Sequence, residues 1–217
     1  MIYSIQTGKA RLYADENGLV FSSAGVKDTY YKRIFISKNG LEGDMVSDIK
    51  HHDIEDKAVF ANALGNYFTW ENFLGRSLSY GDMGENLTIK GIDEENVFIG
   101  DINRLGLLTL QVSAPKRPYA NMDKIHKNKN LTKFLFNSGL TGWCYRVLEA
   151  GSCKVDEVIK IEKSEKVRLS ILELNKLLYN PKKHPELYDK FSKLKTIDKT
   201  WQDMIEKRLN ESCDTFI

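Results

Sequence analysis

From Met1 to about Ile161 the chain alternates short apolar runs with glycine-bearing turns: GKARLYA, GLVFSSA, KRIFISKNG, ENLTIKG, NVFIGD, RLGLLTLQVSA and YRVLEAG. Strand-length runs with turn signals at this spacing predict an all-β barrel or sandwich. One segment breaks the pattern. In KAVFANALGNYFTWENFLG, Val59, Ala63, Phe68 and Trp70 recur at helical rather than alternating spacing. They predict a helix that starts near Lys57 and Ala58, its middle weakened by Gly65 by about 1 kcal/mol. Leu131 to Asn137 predicts a second, shorter helix.

After KIEKSEK, Lys160 to Lys166, glycine disappears and the helical period takes over. Ser170 followed by Glu173 reads as a capping box opening ILELNKLLY. Pro185 suits the first turn of a following helix whose Leu187, Phe191 and Leu194 share a face. Trp201, Met204, Ile205 and Leu209 make the stripe of a third, with Lys207 and Arg208 at its negative end. Short amphipathic helices bury their stripes only against neighbours, so the three are expected to pack on each other or on the barrel. The expected organisation is a β domain over residues 1–164 and a small three-helix domain over 165–217.

Composition adds mainly exclusions. The 217 residues are 41% hydrophobic, enough for a substantial core, and the 32 basic and 30 acidic residues leave a net charge of +2. No global field then favours a nucleic acid polymer or a membrane surface, and any anion site must be local. There is no apolar leader and no run approaching the length of a membrane span, so a cytoplasmic location is expected. Cys144, Cys153 and Cys213 are widely spaced without a CxxC, which reads as free thiols rather than disulfides or a zinc site.

Candidate chemistry concentrates in Gly40 to Ala61, which holds Glu42, Asp44, Asp48, His51, His52, Asp53, Glu55, Asp56 and Lys57. Three readings stay open for it. A metal site has suitable oxygen and imidazole donors, but adjacent His51 and His52 on a strand point to opposite faces. A solvated acidic loop is the second. The third is an anion-binding turn in which glycines let the backbone approach closely and Lys57, at a helix start, joins exposed N–H groups.

Several motifs carry a resemblance. GLEGD with the later His52 and DKA resembles the pattern GLxGDxQxDxxxHGGxDKA of MOSC domains, the family named after the C-terminal region of molybdenum cofactor sulfurase. Asp53 and Ile54 replace its paired glycines. GENLTIKGIDEENVFIGDINRLG resembles the family run FGENLTxxGLxExxVxIGDxxRxG, and SGLTGWCYRVLEAG resembles SGRTGWYxRVLxxG, with Leu140 and Cys144 as departures. QVSAPKRPY resembles the signature QVSQPRxPC with Ala114, Lys116 and Tyr119 altered, the last standing where the family has its cysteine. The final helices resemble the three-helix appendage of YiiM-type members, so the likeness covers nearly the whole chain.

The resemblance implies a mainly β fold with α additions: a MOSC-type closed β-barrel followed by the small three-helix domain. It implies molybdenum cofactor (molybdopterin) and reduction of N-hydroxylated bases such as 6-N-hydroxylaminopurine, with a small-molecule substrate and an electron-donor protein as partners. At the level of the family it also implies pyridoxal phosphate binding. Carried onto this chain, the catalytic positions are Tyr119, His52 and Lys57, with Tyr119 as the metal ligand. The cofactor-binding positions are Glu42, Asp44, His52, Lys57, Glu85, Asn86, Ser113, Lys116 and Arg117.

The departures bear on chemistry. A phenol, with a pKa near 10 against about 8.5 for a thiol, is mostly protonated at neutral pH and is a harder donor than thiolate. Lys116 in place of arginine keeps charge but loses the bidentate fork. On a strand, Trp143, Tyr145 and Val147 would share one face and Cys144 and Arg146 the other; whether that second face is the pocket side decides whether Cys144 supplies a thiolate from a different strand. Two function classes remain: a molybdenum-dependent oxidoreductase, and a non-redox protein that holds a pterin or other anionic small molecule on a MOSC scaffold. A metal-dependent hydrolase using Asp44 and His52 is a third.

Overall fold

The computed structural model describes residues 1–45, 55–118, 121–179 and 181–210. In chain order the strands are β1 (Ile2–Thr7), β2 (Arg11–Ala14), β3 (Val20–Ser23), β4 (Thr29–Tyr30), β5 (Arg33–Ser37), β6 (Gly40–Leu41), β7 (Val59–Ala63), β8 (Leu87–Ile89), β9 (Ile102–Leu105), β10 (Leu108–Pro115), β11 (Trp143–Glu149), β12 (Gly151–Lys154) and β13 (Lys160–Glu162). The helices are α1 (Asn66–Leu74), α2 (Asn121–Ile125), α3 (Leu131–Ser138), α4 (Ile171–Tyr179), α5 (Pro185–Phe191) and α6 (Lys199–Asn210).

Eight strands form one sheet in the order β13-β9-β10-β11-β7-β8-β1-β4. All pairings in it are antiparallel except β7 with β8, a parallel pair whose crossover carries α1. The expected closed barrel is not what forms: among the described residues the sheet is open, and its end strands β4 and β13 do not pair. Both are short, with every residue exposed, so neither end supplies a long ladder for closure. The curled sheet is instead covered by a second sheet, β12-β5-β6, whose Ile34, Ile36, Leu41 and Cys153 join the same core.

The helix expected from Lys57 onward is a second correction. Val59 to Ala63 is strand β7, and the helix begins only at Asn66, with Gly65 as its N-cap. All five β7 residues are buried. A strand covered on both faces shows no alternation, so the four-residue spacing of Val59 and Ala63 imitated a helix. Phe68, taken as part of the same stripe, is 74% exposed.

Elsewhere the local signals hold. Leu131 opens α3, and Pro185 occupies the first turn of α5. At α4 the Glu173 N–H donates to Ser170 Oγ at 3.1 Å, and the Ser170 N–H donates to Glu173 Oε2 at 2.9 Å, a reciprocal capping box. The apolar faces of the last helices enter the main core through Ile171, Leu174, Leu177, Leu187, Phe191, Trp201 and Ile205. The chain ahead of α4 is stitched in by backbone bonds, Ile99 N–H to Leu169 O at 3.1 Å and Ile171 N–H to Val97 O at 2.9 Å.

Candidate functional site

The glycines of GLEGD decide where Asp44 can lie. Gly40 has φ +106°, and a Cβ there would fall 2.7 Å from the Ala58 carbonyl oxygen, so only glycine lets this loop pass against the entry to β7. Asp44 then accepts the Gly8 N–H at 2.8 Å and Asn86 Nδ2 at 2.9 Å. Lys27 Nζ donates to both of its oxygens, at 2.8 and 2.9 Å, and to the Met45 carbonyl at 2.9 Å. A carboxylate tied on every side is a structural clamp rather than an available metal ligand. Among the described residues no group of three or more His, Cys, Asp or Glu side chains is placed to hold a metal ion.

Asn86 does not close a local turn. Its backbone N–H donates to Phe60 O at 2.8 Å and its Oδ1 accepts the Phe60 N–H at 3.1 Å, so it acts as a strand partner for β7. Phe60, thus fixed, offers its ring to Lys116, whose Nζ stands 5.0 Å from the centroid. The Lys116 ammonium makes no ion pair among the described residues. Burial pushes its pKa below the usual lysine range; Cys144 and Asp44 oppose that fall, while Lys27 and Lys57 add to it.

Cys144 is 1% exposed yet lies outside the main hydrophobic cluster that takes Trp143, Tyr145 and Val147 from the same strand. The alternation expected of β11 therefore holds, and Cys144 faces the lysines. Burial pushes its thiol pKa up, Lys116 and Lys57 pull it down, and Asp198 adds to the rise. Arg146, on the same face, donates from Nε to Asp56 Oδ1 at 2.6 Å and from Nη1 to Gln111 Oε1 at 3.1 Å. The Ser113 hydroxyl sits between the carbonyls of Asp56 and Cys144, 3.1 Å from the latter, and bridges β10 to the turn that carries Lys57. Lys57 precedes a strand, so the helix terminus expected to assist it is absent; its Nζ lies 3.2 Å from Asp198 Oδ2.

Ser113, Lys57 and Lys116 thus lie about Cys144, with Asp44 near Lys116 and Asn86 bonded to Asp44. Other expected site residues lie elsewhere. Glu85 is fully buried in its own network, accepting from the Tyr67 hydroxyl, the Gly81 N–H at 2.9 Å, Thr88 Oγ1 at 3.2 Å and Asn62 Nδ2 at 3.3 Å. Burial raises its pKa and these hydrogen bonds oppose the rise. Glu42 is exposed, and Arg117 is exposed with Nη1 3.4 Å from Met204 Sδ on α6. His52 and Tyr119 lie outside the described residues, as do Asp48, His51, Asp53, Ile54 and Cys213. Cys153 is buried with a free thiol, as is Cys144.

Two members of the cluster had no functional signal in the sequence. Lys27 sits in a stretch without a motif and is identified only by folding back onto Asp44. Asp198 is legible as a helix N-cap before the Trp201 stripe, but nothing local links it to Lys57.

The fold is an open, β-rich sheet with a lysine cluster over a buried thiol and with the last helices packed into its core. The chain belongs to the MOSC domain family, whose model matches residues 48–160. It is 25% identical over 212 residues to Protein YiiM of Escherichia coli, covering 94% of this chain and 90% of that protein. It is 32% identical over 164 residues to a protein named Reductase from Gibberella moniliformis, covering 73% of this chain and 29% of that longer one. The crystal structure of YiiM from Geobacillus stearothermophilus superposes with a TM-score of 0.78 at 25% identity, covering 96% of this chain and 98% of that one. No helix among the described residues is long and apolar enough to cross a membrane.

Proposed function

We propose that this protein is a YiiM-type oxidoreductase that holds molybdenum cofactor at the lysine cluster and reduces N-hydroxylated bases such as 6-N-hydroxylaminopurine. The observation that carries the reading is the Lys116 ammonium, drawn into a half-buried position beside Lys57 and Cys144 with no carboxylate partner among the described residues. A cation so placed raises the energy of the unliganded protein and is relieved by an anion. Membership of the MOSC family and the likeness to a fungal reductase support the redox assignment.

The residues present fit the anionic part of the cofactor. When bound, the cofactor supplies a metal that exchanges two electrons with an oxygen-bearing substrate. Lys57 and Lys116 would hold its negative groups, while the Lys27, Asp44 and Asn86 clamp fixes the wall behind them. Burial lowers the proton affinity of Lys116, whereas an arginine in its place would stay charged. Reduction of a hydroxylamine to an amine consumes two protons and two electrons, the latter supplied by an electron-donor protein, and releases water.

The test is metal analysis and hydroxylaminopurine reduction after expression in a host that makes the cofactor. Stoichiometric molybdenum with reductase activity is expected. Zinc or manganese in its place, with hydrolase activity, would overturn the reading in favour of Asp44 and His52 chemistry. One observation favours a non-redox anion- or pterin-binding role: burial keeps the Cys144 thiol protonated, and Tyr119 stands where the family has its thiolate. A bound pterin or phosphate without molybdenum is the outcome that selects it.

A further inference from the structure

Each cation of the cluster has a different neighbour. Lys27 is matched by Asp44. Lys57 is matched by Asp198 at 3.2 Å, with Thr200 Oγ1 at 3.4 Å. Lys116 has no matching carboxylate among the described residues, so the described groups leave one positive charge over. Asp198 is also held rigidly. It is fully buried, its Oδ1 accepts the Trp201 N–H at 2.9 Å as the cap of α6, and its own N–H donates to the Ser113 carbonyl at 2.9 Å. A carboxylate held by the Trp201 N–H on a backbone that is itself bonded to Ser113 stays beside Lys57 when a ligand approaches.

We propose that Asp198 is a specificity-determining residue of this site, an internal counter-anion that shields Lys57 and lowers the preference of the cluster for a doubly charged phosphate over a singly charged oxyanion such as a phosphodiester. The inference rests on the anion-binding reading above and adds a selectivity to it. Coulomb repulsion from Asp198 grows in proportion to ligand charge, whereas the shape of the site is common to both ligands. The segment leading into α6 is then a working part of the site, which gives the last helices a role beyond burying their own stripes.

The experiment is calorimetric titration of the full chain, without cofactor, using dimethyl phosphate as the monoanion and inorganic phosphate at about pH 8 as the dianion. Wild type is expected to favour the dianion over the monoanion only weakly. Asp198→Asn keeps an oxygen to cap Trp201 but removes the charge. It should tighten phosphate by about tenfold and dimethyl phosphate by only about threefold. Adding Lys57→Met should erase both gains. A purely structural Asp198 would lower thermal stability without raising any affinity.

If the Asn variant does not fold, Asp198→Ser retains a capping oxygen and carries the same expectation. Measurable binding that does not tighten, or that tightens equally for the two ligands, overturns the role of Asp198 and leaves the anion site standing. Failure of wild type and variant to bind either ligand overturns the anion reading together with the inference.

Discussion

Arg146 and Asp56 form an ion pair with Nε 2.6 Å from Oδ1, each side chain about four-fifths buried at 20% and 22% exposure. The pair ties the centre of β11 to the turn that presents Lys57, and Gln111 accepts the second arm of the guanidinium at 3.1 Å. Removing one partner leaves a half-buried charge with poor solvation, at a cost typical of charge-assisted hydrogen bonds. Arg146→Met is expected to lower stability by about 2 kcal/mol in urea denaturation. The same variant should weaken phosphate binding, because Lys57 loses its anchored turn; binding unchanged in a folded variant would separate Asp56 from the site.

Glu94 gives stability a pH dependence. It is 1% exposed, its Oε1 accepts the Gly142 N–H at 2.7 Å and Asn66 Nδ2 at 2.8 Å, and its Oε2 has no hydrogen-bond partner among the described residues. Burial raises its pKa from about 4.5 to about 7, with the hydrogen bonds opposing. Between those values the folded state binds a proton that the unfolded state has released. The contribution is therefore complete below about pH 4.5 and falls as pH rises through about 7, a loss on the order of 3 kcal/mol. Glu94→Gln should flatten this slope in denaturation curves across that window. An unchanged slope would assign the pH dependence to another group.

Lys116 should trade stability against binding. Lys116→Met removes a half-buried cation from beside two others, so its melting temperature is expected to rise by a few degrees while phosphate affinity drops about tenfold. Lys116→Arg keeps the charge and should preserve binding. Parallel thermal melts and titrations check the pair. A fall in stability with Met, or retained affinity, would contradict the picture of a cation waiting for an anion.

Tyr119→Cys restores the residue that the MOSC signature has at this position. In a cofactor-competent host the variant is expected to bind more molybdenum and to gain hydroxylamine reduction over wild type, read by metal analysis and substrate turnover. No gain in a folded variant would count against the proposed molybdenum cofactor site. Cys144→Ser in the same background tests the neighbouring strand's thiol, and a further loss of bound metal is expected if both sulfurs are used.

Local order was legible where chemistry within a few residues decides it. The reciprocal bonds of Ser170 and Glu173, the Pro185 start of α5 and the placement of Trp143 and Cys144 on opposite faces all follow from spacing. The β7 segment misled because burial on both faces erases the period that identifies a strand. Its misassignment also moved Lys57 from a strand entry to a helix start and lent it a dipole it does not have. Barrel closure was equally out of reach, since it depends on whether two distant ends meet in register.

By itself the sequence determined the strand-rich body, the helical end and the family motifs, because these rest on side-chain periods and turn chemistry written in adjacent residues. Only the tertiary structure decided that Lys27 folds back onto Asp44, that Asp198 reaches Lys57, and that Cys144 faces cations rather than core. Those relations depend on the fixed positions of backbones distant in sequence. Charge–charge energy varies with distance and burial, and neither quantity is encoded in any short stretch of the chain.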